Sequence, residues 1–261
     1  MAVVDFGLLA LAGYGVGLIV GLTGVGGGSI MTPLLITAFG IPAPVAVGTD
    51  LACAAVTKTA GTLAHRAARN IAGRIVFLLA LGSVPAAVAT LAIIASAQLA
   101  PQQLNHLIRE SVGVALLLSI AMLLLRDPLK RWALRTDRLR EIRRHRPVIT
   151  VAVGGIIGLA VALTSLGAGA IGAAALALLY PELEPAEIAG SDIAHAVPLT
   201  GVAAIGHAWL GTIDVPLLLA LLAGGLPGIV LGSFASRRVP IRSLRMILIA
   251  ALALAGAKLL T

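Results

Sequence analysis

Charge is scarce in this chain. Only 11% of its 261 residues are Asp, Glu, Lys or Arg, against roughly a quarter in an ordinary soluble domain. With 59% hydrophobic residues, too few polar groups remain to cover one water-soluble globule. Uncharged runs such as 75–108 and 111–125 are long enough to cross a hydrocarbon layer about 30 Å thick as helices. The alternation of apolar and polar residues that marks the strands of a transmembrane barrel is missing. Cysteine is nearly absent: Cys53 stands alone, which excludes an internal disulfide and a cysteine-rich metal site and leaves it as a small packing residue. The first hydrophobic segment has no basic region ahead of it, Asp5 being its only charge, so it is not read as a cleaved signal peptide.

What remains is hydrophobic sequence rich in small residues. Thirty glycines and thirteen prolines would break soluble helices, but a membrane bundle tolerates them, because small residues let helices approach closely and neighbours satisfy freed backbone groups. The expected fold is an all-α polytopic membrane protein. Its hydrophobic segments fall near 3–22, 29–40, 43–65, 74–97, 104–125, 147–164, 169–180, 185–208, 214–235 and 241–260. Residues 126–146 are the one sizeable polar stretch, with nine Lys/Arg and three acids, read as a basic linker or surface helix near anionic lipid.

The chain repeats itself. Leu22-Thr-Gly-Val-Gly-Gly-Gly-Ser-Ile30 aligns with Leu163-Thr-Ser-Leu-Gly-Ala-Gly-Ala-Ile171. One residue later in register, Gly48-Thr49-Asp50 matches Gly190-Ser191-Asp192, Ala64-His65 matches Gly206-His207, and Gly82-Ser83-Val84-Pro85 matches Gly224-Gly225-Leu226-Pro227. Matched Asp, His, Gly and Pro indicate duplication, with repeats at 1–125 and 147–261 flanking the linker at 126–146.

The basic residues set an orientation. Arg66, Arg69 and Arg74 follow the third segment, while 98–108 has no Lys or Arg; in the second half Arg237, Arg238, Arg242 and Arg245 follow the ninth segment instead of the eighth. These two loops and the linker hold sixteen of the nineteen Lys/Arg, and they share a side if each half crosses an odd number of times. By the positive-inside rule that side is cytoplasmic and both termini lie outside. The net charge of +8 therefore reflects topology and does not point to nucleic acid. Five-segment repeats of opposed topology are a common plan among secondary transporters, whose binding sites lie near the midplane at the repeat interface.

Several residues are candidates for that site. The matched Gly-rich stretches precede segments of only about twelve residues, roughly 18 Å of helix, so they read as broken or re-entrant helices around a substrate. Helices starting there would aim free N–H groups at an anion; close packing through small residues is the alternative. The candidate contacts are Thr23, Gly26, Gly27, Gly28 and Ser29 in the first half and Thr164, Gly167 and Gly169 in the second. Asp50 and Asp192 lie inside apolar runs, where an ionisable group is costly and functional by default; each is a proton carrier or the cap of a helix start. Lys58, about two turns after Asp50, is either the cation that contacts an anion or the partner of Asp192. Its counterpart Thr200 makes the site asymmetric, and Thr49 and Ser191 bring hydroxyls beside the aspartates. His195, three residues after Asp192, is a further proton-relay candidate. His65 and His207, at segment ends, read as interfacial residues. No close His/Glu cluster of the metalloprotease kind occurs, so no metal is expected.

Gly24-Val-Gly-Gly-Gly-Ser-Ile30, Val47-Gly-Thr-Asp-Leu-Ala52 and Thr57-Lys-Thr-Ala-Gly-Thr-Leu-Ala-His65, with Gly190-Ser-Asp-Ile-Ala-His-Ala-Val-Pro-Leu199 and Gly224-Gly-Leu-Pro-Gly228, resemble the TauE/SafE sulfite exporter family, also called the toluene sulfonate uptake permease superfamily. The resemblance runs over nearly the whole chain. It implies secondary transport of sulfite, sulfonates or related small organic anions across the bacterial inner membrane, with no bound cofactor. It maps the first glycine motif to Gly24–Ser29 and its repeat to Ser165–Ala170. Asp50 departs from the Gly-Thr-Ser-Leu common at that place, which sets this chain in a distinct subgroup.

The leading expectation is thus a proton-coupled, alternating-access transporter of a small anion, with membrane lipids as its surroundings and no catalytic residues. Two alternatives stand beside it. A cation or metal transporter would use Asp50 and Asp192, but Lys58 and the helix dipoles would repel its cargo. A membrane-embedded transferase would need catalytic groups on a substantial loop, and the longest loop is Arg-rich with only three acids.

Overall fold

A computed structural model describes residues 5–23, 28–67, 69–135, 145–167 and 169–235, together with 246, 249, 250, 252–254, 256, 258 and 259. Its elements are α1 (Phe6–Thr23), α2 (Gly28–Ala38), α3 (Ala43–Ala67), α4 (Gly73–Ser96), α5 (Pro101–Arg135), α6 (Arg146–Thr164), α7 (Ala170–Leu179), α8 (Pro185–Trp209) and α9 (Val215–Ala235). No strand occurs among the described residues, and every described position beyond 245 is helical. The first nine expected segments agree with these helices to within a few residues, apart from the end of α5; more than half of the tenth, 241–260, and the cluster Arg237, Arg238, Arg242 and Arg245 lie outside the described residues. The difference is at the linker, whose first part continues α5 to Arg135; residues 136–144 lie outside the described residues.

Local chemistry sets several helix starts. α8 opens with a capping box, the Glu184 N–H donating to the Glu187 carboxylate at 2.9 Å ahead of Pro185, which satisfies N-terminal donors that have no partner within the helix. Asp214 accepts the Leu217 N–H at 2.9 Å and so caps α9. α6 is tied at its start to the turn before α8: Arg146 pairs with Glu182 and stacks 5.3 Å over the Tyr180 ring, and the Tyr180 and Thr150 hydroxyls are 2.8 Å apart.

Among the described residues, five helices are long and apolar enough to cross a membrane: α4, α5 up to Leu125, α6, α8 and α9. α3 is as long as α8, about 37 Å at 1.5 Å per residue, and less apolar because it carries Asp50, Lys58, His65 and Arg66. Phe77, Leu81, Val88 and Ile93 on α4 and Leu219, Val230 and Phe234 on α9 are exposed. Buried positions instead include Asp50, Ser83, Asp192, His195, Thr200 and His207. Apolar faces outward and polar groups inward suit a hydrocarbon solvent.

α3 and α8 form the centre and run antiparallel. Gly48 near the start of α3 abuts His207 and Thr212, while Gly190 near the start of α8 abuts His65 and Asn70. Around them two pairs run parallel in close contact: α1 on α9, and α4 on α6. A Cβ at Gly13, Gly17 or Gly21 would strike the Leu221, Gly225 or Ile229 carbonyl in turn, and one at Gly224, Gly228 or Gly232 would strike the Ala10, Tyr14 or Leu18 carbonyl. Gly154 and Gly158 approach Leu79 and Ser83 in the same fashion. Small residues at every turn of both partners let these backbones touch, the main source of helix attraction where no hydrophobic drive exists between helices. These directions place the end of α3, the starts of α4 and α6, and the end of α9 at one end of the bundle.

Candidate functional site

Asp50 and Asp192 each lie seven residues inside a continuous helix, from Ala43 in α3 and from Pro185 in α8. Neither caps a helix start, and the capping alternative falls away. Both side chains are buried, at 3% and 4% exposure. Their surroundings differ. Asp50 Oδ2 accepts the Thr32 hydroxyl of α2 at 2.7 Å and the Ser165 hydroxyl at 2.8 Å, so this carboxylate ties α3 to α2 and to the break after α6. Asp192 Oδ1 lies against Gly172 in the first turn of α7, so closely that a Cβ there would overlap it. It has no hydrogen-bond partner among the described residues.

The second Gly-rich motif is an unwound link. α6 ends at Thr164 and α7 starts at Ala170, with left-handed backbone at Ser165 (φ 59°) and positive φ at Gly167 (118°) and Gly169 (134°). Only the glycines adopt such angles without steric cost. Thr164 is consumed in this turn: its hydroxyl donates to the Ala160 carbonyl at 2.6 Å and accepts the Leu166 N–H at 3.0 Å. The first turn of α7 then places its positive dipole end near the Asp192 carboxylate. In the first motif, Gly26 and Gly27 lie outside the described residues, as do the side chains of Thr23 and Ser29, and Gly28 is described only as the first residue of α2.

Gly48 against His207, Gly61 against Ile193 and Gly190 against His65 fix the register of α3 on α8. In that register Thr62 stands opposite Ile193, beside Asp192, while Lys58 stands opposite Val197, about 3 Å beyond His195 and about 7.5 Å beyond Asp192 along the axis. Asp192 and Asp50 are the carboxylates close enough to act on Lys58 electrostatically, and Lys58 in turn acts on His195. Among the described residues no carboxylate oxygen lies within 4.0 Å of its ammonium. His195 Nε2 is 2.8 Å from the Ser83 hydroxyl of α4, and its Nδ1 has no partner among the described residues. Nor does the hydroxyl of Thr62, one turn past Lys58 on the same helix face. The structure thus gathers Lys58, Asp192 and His195 and adds Thr62 and Ser83 to them.

Other candidates stand elsewhere. Thr49 accepts the Asp214 N–H at 3.0 Å and Ser191 the Ala72 N–H at 2.9 Å, so each clips the start of a helix from the other half. Thr200 donates to the Ala196 carbonyl at 2.8 Å. His207 is not interfacial: it is fully buried, with Nδ1 at 2.8 Å from the Thr212 hydroxyl and Nε2 at 2.9 Å from the Ala162 carbonyl, a structural link between α8 and α6. Two cavities of about 420 and 410 Å³ lie where the α2–α3 corner meets the start of α5, lined in part by Pro42, Pro101, Asn105 and Arg109. They are at the far end of α3 from Lys58 and do not reach it.

Thr32, Ser165, Ser83 and Thr62 were not singled out by sequence reasoning, although Ser83 and Ser165 fall inside matched motifs. Among the described residues no three His, Cys, Asp or Glu side chains gather as a metal-binding group.

Comparison with known proteins gives one family and one relative. The family described as Sulfite exporter TauE/SafE matches residues 9–259. A protein of Bacillus subtilis (strain 168) named "Probable membrane transporter protein YjnA" is 36% identical over 253 residues, covering 97% of this chain and 98% of its own. No solved structure matches.

Proposed function

Since the chain belongs to the sulfite exporter TauE/SafE family, and is a membrane transporter and not an enzyme, we propose that it carries a small anion, sulfite or an organosulfonate, by alternating access coupled to protons. The observation that carries this reading is Lys58: a half-buried cation within the central helix α3, with no carboxylate in ion-pair contact among the described residues. A charge inside a membrane segment is expensive and is retained where it meets a ligand or partner of opposite sign.

Charge balance supports the proton. Ionised Asp50 and Asp192 outnumber Lys58, so a monoanion entering beside Lys58 adds to a net negative centre. A proton taken up on Asp192, Asp50 or His195 together with the anion restores the balance. The orphaned Asp192 and His195 atoms are the better placed carriers, because Asp50 is tied to Thr32 and Ser165.

The reciprocal pairing of α1 with α9 and α4 with α6, about the antiparallel α3 and α8, supports two inverted repeats, a plan suited to alternating access around a central site. It also brings the ends that precede or follow the basic clusters together. The positive-inside rule then makes that end cytoplasmic in a cell inner membrane, with both termini outside.

The test is sulfite and sulfonate binding to the purified transporter, with flux in proteoliposomes. Lys58→Ala should abolish measurable binding while the protein still folds; unchanged affinity in a folded variant would sink the role of Lys58. Asp50→Asn and Asp192→Asn should between them alter the pH profile of flux, and an unaltered profile in both removes proton coupling through these groups.

A further inference from the structure

Among the described residues, three of the four buried side-chain atoms without a hydrogen-bond partner belong to Asp192, His195 and Thr62. Thr62 is one turn from Lys58 on α3, and Asp192 and His195 lie across on α8. Asp192 and His195 are almost fully buried, at 4% and 0% exposure, where an unmet polar atom keeps its full desolvation penalty. Native interiors rarely leave such atoms unmatched without a ligand or function to explain them. A ligand that offered only negative oxygens would satisfy Lys58 and Thr62. With the proton carried on His195 or Asp50, it would leave Asp192 Oδ1 unmatched, because an ionised carboxylate is acceptor-only, and would bring like charge toward it.

We propose that the transported anion is bound at two ends, its anionic group on Lys58 and Thr62 and a hydrogen-bond donor of its own on Asp192 Oδ1. The ligand class is therefore a small sulfonate bearing an O–H or N–H, either a hydroxy-substituted monoanion or an amino-substituted zwitterion, in preference to a plain alkyl sulfonate. His195 Nδ1 supplies a third contact whose polarity follows the ring tautomer, since the Ser83 hydroxyl at Nε2 can either donate or accept. The separation of more than 4.0 Å between Lys58 and Asp192 leaves the two to be bridged by the ligand, since they do not pair directly. This inference rests on the reading of Lys58 as the anion anchor.

The experiment compares ethanesulfonate, 2-hydroxyethanesulfonate and 2-aminoethanesulfonate on the detergent-purified wild-type transporter by isothermal titration. The hydroxy and amino compounds should bind at least about tenfold more tightly than ethanesulfonate, the discrimination available to a site whose buried polar group is left unpaired by the wrong ligand. In Asp192→Ala the preference should vanish. In Asp192→Asn, which keeps an acceptor oxygen but not the charge, it should persist for the hydroxyl and weaken for the ammonium. Equal binding of all three to the wild type overturns the two-ended site and leaves anion transport standing. A preference that survives in folded Asp192→Ala overturns the assignment to Asp192. No binding of any sulfonate overturns the anion reading itself, and the two-ended site with it.

Discussion

Replacing Lys58 by Met separates two jobs that one cation can hold, balancing Asp192 and holding an anion. The first has a ceiling set by geometry. No carboxylate oxygen lies within 4.0 Å of the ammonium among the described residues, so the attraction stays below about 4 kcal/mol at an effective dielectric constant near 20. Removing the cation strands a buried carboxylate, and breaking one partner from such an arrangement costs about 3–5 kcal/mol before relaxation or protonation reduces it. Lys58→Met should therefore destabilise the protein by about 2–4 kcal/mol. Lys58→Met/Asp192→Asn should recover at least half of that, because the stranded charge is gone. Anion affinity should behave differently, falling about a hundredfold or more in both variants, as expected when one side of a buried charge contact is truncated. The assay is a double-mutant cycle read twice, by chemical unfolding in micelles and by sulfonate titration. A double variant no more stable than Lys58→Met refutes the electrostatic link to Asp192. A double variant that regains binding refutes the anchor, because Lys58 would then serve only to neutralise its neighbour.

Two further predictions concern the scaffold. Gly17→Leu should destabilise the α1–α9 contact by at least about 1–3 kcal/mol, since its Cβ would strike the Gly225 backbone, whereas Gly15→Leu on the same helix meets nothing within 4 Å and should be tolerated; equal melting temperatures for the two would contradict the parallel packing. Thr49→Ala and Ser191→Ala should each cost about 0.5–2 kcal/mol, the usual loss on removing a side-chain acceptor at a helix start, with sulfonate affinity unchanged. Loss of binding in either variant at normal stability would return that hydroxyl to the substrate site.

The matched aspartates illustrate how the two levels of description divide. Both were legible as ionisable residues in apolar runs, and so were Lys58 and His195. The difference between the aspartates was not: Asp50 is met by Thr32 and by Ser165, 115 residues away, and Asp192 is left open. Thr32, Thr62 and Ser83 were inconspicuous because small hydroxyl residues are common in apolar helices, where they bond back to their own turn, as Thr90, Ser111 and Ser119 do here. Thr49 and Ser191 are visible in the sequence through their repetition, and the structure adds that each accepts an N–H at a helix start 165 or 119 residues distant.

The sequence by itself determined that the chain is helical and membrane-borne, where the helices begin and break, and which residues recur in both halves. These follow from the length of apolar runs, the glycine breaks and the scarcity of charge, all of which act locally or through the composition of the whole. Only the tertiary structure decided that Thr62 stands beside Asp192 and Lys58 beyond His195 and its partner Ser83, and that α1 runs along α9 and α4 along α6. Those pairings depend on which small-residue faces can close on one another, a property of two surfaces meeting that no single segment carries.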